Sequence, residues 1–177
     1  MTTVPTRQAA VSRRVLHHAL QVRPAGVVVV TAGDAGSPAG ATVTSFATVS
    51  FDPATIMLSL HSSSTTLAAI RGSGLFNVHV LSGDQRGLVE RFAVAGARRF
   101  DHSLAWHPDT RGVPVIEGVL ACLACDQHDA WEVAGHTVII GGVTDAVETA
   151  GAELLPVIRP RSVLLQQGGR IRVVTCD

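Results

Sequence analysis

Four valines in a row, Val27 to Val30 within "GVVVVTA", constrain this chain more than any other stretch. Consecutive β-branched residues favour a strand over a helix, and a run without polar alternation suits a strand covered on both faces. The run is far too short to cross a bilayer. It therefore predicts a fully buried strand, closed by the loop "GDAGSPAG", whose Gly33 and Gly36 point to a hairpin.

The hairpin leads into "GATVTSFATVSFDP", residues 40–53. Read with a period of two, it places Val43, Ala47, Val49 and Phe51 on one face and Thr42, Thr44, Thr48 and Ser50 on the other. The first face is expected to be core, and the second is a row of hydroxyls. Asp52-Pro53 ends the strand.

Elsewhere the same reading gives a first helix over 7–20, a strand over 55–61 and a short helix capped by the serines at 62–64. A strand follows at 75–81 and a helix begins near Asp84. Residues 119–133 and 136–148 read as two more strands, and 154–174 as one or two edge strands. Short connections and few long helices predict a mainly antiparallel barrel with peripheral helices. The 177 residues fit one domain over 1–177, with its core at about 13–165.

Fourteen basic residues balance fourteen acidic ones, so nothing marks a nucleic-acid or membrane surface. Every basic residue is Arg, which excludes a lysine Schiff base and a P-loop lysine. Three cysteines are too few for a secreted disulfide framework, and no signal peptide is evident, so the cytoplasm is expected. Cys122 and Cys125 lie three apart on a strand, on opposite faces, and read as small buried hydrophobes rather than metal ligands. His61 and His79 could approach each other if their strands pair, although two His alone make a poor metal site. No metal is expected.

A row of hydroxyls and backbone amides suits a ligand rich in carbonyls and ring nitrogens, such as the isoalloxazine of a flavin. The serines at 62–64 with Thr65, at a helix start, suit its ribityl chain and phosphate. Thr is also common in strands simply because it is β-branched.

Taken in order, "PAGVVVVTA", "SPAGATVTSFATVSFDPATIMLSL", "FNVHVL", "ERFA", "RFDHSLAW", "GVPVIEGVLACLAC" and "GHTVIIGGV" resemble the short-chain flavin reductase family, from about residue 13 to 161. The resemblance implies a six-stranded antiparallel split β-barrel that binds FMN or FAD near the interface of a homodimer. It also implies reduction of that flavin by NADH or NADPH, often to supply a partner monooxygenase. Thr42, Val43, Thr44 and Ser45 match the family's flavin-contacting segment, and Ser59, Leu60, Ser62, Ser64 and Thr65 match the strand-to-helix segment beside it. Phe76 and Asn77 match the adjacent strand, and Arg91 and Phe92 the "RFA" corner. His136 matches the His of the family's "GDH" signature, where the nicotinamide stacks. Gly135 replaces the family's Asp, Ala25 its frequent Thr before "GV", and the chain has no Tyr. Two other functions fit the same resemblance: a flavin-binding subunit without reductase turnover, and a flavin enzyme acting directly on an organic substrate.

Overall fold

The structure, a computed structural model, describes residues 12, 14–16, 20, 25–94, 96–149, 158–159, 162–167 and 170–175. They fall into two compact units, of which Gly26–Ile158 is the larger. In the smaller unit, residues 14–16 and 20 of the predicted first helix are helical, and the rest of that segment lies outside the described residues. Ser162–Gln167 and Arg170–Thr175 form an antiparallel ladder there, as the tail's pattern predicts.

The larger unit is a seven-stranded antiparallel sheet with two helices. Its strands are β1 (Val28–Ala32), β2 (Ala39–Val43), β3 (Ala47–Phe51), β4 (Ala54–His61), β5 (Leu75–Val80), β8 (Ala121–Val133) and β9 (His136–Glu148). A small ladder of β6 (Trp106–Pro108) and β7 (Pro114–Ile116), which the sequence pattern does not reveal, lies in the segment before β8. The helices are α1 (Thr65–Ser73) and α2 (Arg86–Ala93), the latter entered through a 3₁₀ turn at Gly83–Gln85. None of the described helices is long and apolar enough to cross a membrane.

The valine run is buried throughout because β1 separates two apolar clusters. Val28 and Val30 face one, with Leu58, Phe76, Val78 and Ile139. Val29 faces the other, with Leu81, Phe92, Leu104 and Ile116. Each fully buried valine contributes about 1.5–3 kcal/mol. Helix α1 closes the first cluster with Leu67 and Ile70; Ser64 caps its start by accepting from Leu67 N–H, and Gly74 ends it at φ +73°. Cys125 belongs to the first cluster and Cys122 packs on the second, so the two thiols do lie on opposite faces. Burial raises their pKa values, to about 11 for Cys122 and about 12 for Cys125, which leaves both thiols protonated.

The sheet order is β2-β1-β5-β8-β9-β4-β3. Strands consecutive in the chain, β2 and β3, are therefore its two opposite edges, joined by Thr44–Phe46 alone. A flat sheet of this width would hold its edges about 29 Å apart. Three linking residues span at most about 14 Å from strand to strand, so the sheet curls until its edges flank a seam. One side chain stitches that seam: Ser45 Oγ donates to Ser59 O and accepts from Ser59 N–H, both at 2.9 Å.

Two expectations change here. The sheet has seven strands rather than six, and its ladder does not close. The 40–51 stretch is two strands rather than one, and after the break at 44–46 its apolar residues are outside the core: Phe51 is 91% exposed and Val49 54%. The local alternation was real, but β3 is an edge strand with nothing described against that face.

Candidate functional site

The seam opens into a cleft of about 350 Å³, within the usual size range of ligand sites. One wall is β2 and the link after it, from Ala41 through Thr42, Val43, Thr44 and Ser45. The opposite wall is the end of β4, with Ser59, Leu60 and His61, followed by the α1 cap Ser64. Phe92 and Ala93 at the end of α2, Arg99 beyond it and His136 at the start of β9 complete the lining.

The hydroxyls are not equivalent. Thr42 Oγ1 donates to Val89 O at 2.7 Å and tethers β2 to α2. Ser45 is committed to the seam, and Ser64 to Leu67 N–H at 3.4 Å. Thr44 and Ser59 line the cleft, and their side-chain hydroxyls make no hydrogen bond among the described residues, so both are free for a ligand. The row that looked uniform in sequence divides into hydroxyls that build the cleft and hydroxyls that can serve it.

Arg99 was not singled out by the sequence, since an Arg in an irregular segment carries no periodic signal. It crosses to the β2 wall, where Nη1 donates to Gly40 O, while Nη2 donates to Val94 O at 3.0 Å. Its Nε is buried and has no partner among the described residues. Burial lowers this guanidinium below its ordinary pKa. Gly40 also admits the Phe92 ring: a Cβ there would stand 2.6 Å from Phe92 Cε1.

At the other end, His61 and His136 are register partners on β4 and β9, and their rings meet edge to face at 5.2 Å. The strands of His61 and His79 do not pair, so those two rings do not meet. Strands β8 and β9 separate β4 from β5, and His79 is fully buried on β5. Gly135 has a conformational reason: with Ala134 it forms the two-residue turn between β8 and β9, at φ +78° and +49°. Paired positive φ angles of this kind favour glycine over Asp.

The remaining expected residues do not line the cleft. Ser62 and Thr65 sit beside it at the start of α1. Phe76 points into the first apolar cluster with no exposure. Asn77 points the other way, where it donates to Asp109 Oδ2 at 3.2 Å and to Pro114 O at 3.3 Å, and accepts from Arg111 Nη2 at 2.6 Å. Arg91 is held by Asp101 at 3.4 Å and Ser103 at 2.5 Å. Arg99, rather than Arg91, is thus the guanidinium at the cleft.

A larger cavity, about 440 Å³, lies between residues 107–119 and strands β8 and β9. Its cation, Arg111, is already shared among Asp109, Asp126 and Asn77, at 2.6 to 3.3 Å. Unspent hydroxyls at the seam make the smaller cleft the better site.

Known proteins place this geometry. A family described as "Flavin reductase like domain" matches residues 21–171. The chain is 41% identical over 141 residues, 80% of each chain, to an FMN reductase (NADH) of Agrobacterium fabrum. It is 36% identical over 155 residues, 86% of this chain and 91% of the relative, to a flavin reductase (NADPH) of Lentzea aerocolonigenes. Nitrilotriacetate monooxygenase component B from Mycobacterium thermoresistibile superposes with a TM-score of 0.79 at 28% identity, over 92% of this chain and 86% of that one. A Streptomyces globisporus NADH:FAD oxidoreductase, solved with NAD and FAD fragments, gives 0.75 at 28% identity, over 90% and 92%.

Proposed function

This chain belongs to the flavin reductase like domain family, and on that premise we propose that it is an NAD(P)H-dependent flavin reductase supplying reduced FMN or FAD to a partner monooxygenase. The observation that carries the reading is the seam cleft, lined by Thr44 and Ser59 with unspent hydroxyls and by the cationic Arg99. An isoalloxazine edge, with its carbonyls and N3–H, fits that donor and acceptor set.

When bound, flavin and nicotinamide carry out hydride transfer as their own chemistry. The chain's task is to hold them. Thr44 and Ser59 hydrogen-bond the ring edge, and the positive pole at the start of α1, flanked by Ser62, Ser64 and Thr65, attracts phosphate. Arg99 adds positive charge on the β2 side. His136, exposed in the cleft lining, would meet the nicotinamide, as the family resemblance implies. The curled sheet and its seam support a split barrel, and the exposed apolar residues Val49, Phe51, Trp131 and Val133 support a homodimer.

The test is anaerobic absorbance near 450 nm, the flavin band, with free FAD or FMN and then NADH or NADPH. Repeated turnover of excess flavin is the expected result. A bound flavin that neither nicotinamide reduces overturns the assignment and leaves a flavin-binding subunit.

A further inference from the structure

We propose that His61 and His136 form a two-histidine chelate for a divalent transition-metal ion at the mouth of the cleft. The two residues stand directly opposite each other on antiparallel strands β4 and β9, and both are exposed. Such a pair projects two imidazoles from one face of a sheet, on a backbone that fixes their spacing.

The spacing suits a metal. Two imidazoles on one tetrahedral zinc, with bonds of about 2.0–2.1 Å, have ring centres about 5.2 Å apart. The observed separation is 5.2 Å, with the ring planes 78° apart.

The outer nitrogens are also provided for. His61 Nδ1 lies 2.7 Å from Ser63 Oγ and accepts from Ser63 N–H at 3.2 Å, and His136 Nδ1 lies 3.4 Å from Ala134 O. When His136 binds metal through Nε2, its Nδ1–H donates to Ala134 O; His61 does so by moving its proton from Nε2 to Nδ1, exchanging the bond from Ser63 N–H for one donated to Ser63 Oγ. Neither Nε2 has a hydrogen-bond partner among the described residues, so both are open to solvent and to an ion.

Imidazole donors select Zn²⁺, Ni²⁺ or Cu²⁺ over Mg²⁺ or Ca²⁺. Among the described residues no third His, Cys, Asp or Glu joins the pair, so water fills the other positions and binding is reversible. Both rings line the cleft. The chelate itself needs no flavin, but its consequence rests on the function proposed above: a bound ion blocks the mouth and inhibits the reductase.

Calorimetric titration of flavin-free protein with ZnCl₂ tests the site. The expected result is one zinc per chain, no heat with MgCl₂, and binding at least about tenfold weaker in each of His61→Ala and His136→Ala. A zinc-dependent rise in melting temperature should accompany binding in the parent chain and be lost in both variants. His61→Asn and His136→Asn, which keep a polar exposed side chain, give the same reading if an alanine variant folds poorly. Equal zinc affinity in parent and variants, or no zinc binding by the parent, overturns the proposal. Neither result bears on reductase turnover, which is measured without metal.

Discussion

Lowering the pH should destabilise this protein through one buried ring, His79. It is fully buried on β5, where Nδ1 donates to Val29 O at 3.1 Å and Nε2 accepts from Ile116 N–H at 3.1 Å. Both nitrogens are occupied only when the ring is neutral with its proton on Nδ1. A second proton, on Nε2, would confront the Ile116 N–H and place a charge between β1 and β7. Burial accordingly lowers the pKa from 6.5 to about 4, against a smaller upward pull from the Val29 carbonyl. Because the folded value is depressed, the unfolded chain binds more protons between the two values, and stability falls as pH falls through them. The contribution is complete above about 6.5 and lost by about 4, a difference of about 3 kcal/mol. Urea unfolding of the parent and of His79→Gln, followed from pH 7 to pH 4, isolates this share from that of the carboxylates. Gln cannot take up a proton, so its stability should fall less steeply, and the gap between the two should close by about 3 kcal/mol. Parallel curves would refute the argument.

Gly141→Ala should cost about 1–3 kcal/mol in urea unfolding, because its Cβ would stand 2.6 Å from the buried Phe76 ring. Gly142→Ala should change stability by less than about 1 kcal/mol, since the ring it meets, His128, is exposed and can swing away. Arg111→Met should cost about 2–3 kcal/mol, because it leaves Asp109 and Asn77 without their shared partner. Burial alone would raise the Asp109 carboxyl, but bonds from Asn77, Arg111 and Val113 hold it below its usual value. Its share of stability is therefore present above the ordinary carboxylate range and lost as pH falls through the depressed value; Arg111→Met should shrink that acid-side loss. Thr44→Val should weaken flavin binding by about 1 kcal/mol, read by fluorescence titration, and leave unfolding nearly unchanged.

Much of the fold was legible because its strands carry local signals. The valine run, the hairpin after it and the two long strands near the end are where their composition puts them. The flavin reading also followed from ordered segments, most of which meet at one cleft. Strand order was not legible, because alternation marks a strand's faces and not its neighbours. That gap left the His61–His136 pairing unseen and put Phe51 in the core. Arg99 was hidden for a related reason: its partners are Gly40 and Val94, and no spacing rule relates an irregular segment to a distant strand. Phe76 and Asn77 are neighbours on one strand and face different clusters, and neither lines the cleft.

The seam also orders events in time. Strands β8 and β9 are joined by a two-residue turn and can pair early, whereas β1 must find β5 and β4 must find β9 across long stretches of chain. The link at Thr44–Phe46 keeps the sheet's edges within about 14 Å from the start, whereas His61 and His136 on the far wall of the cleft meet only when β4 pairs with β9. Completion of the cleft therefore waits on that long-range pairing. A ligand held there adds its energy to the native state but little to the folding transition state, so saturating flavin should slow unfolding while leaving the refolding rate almost unchanged.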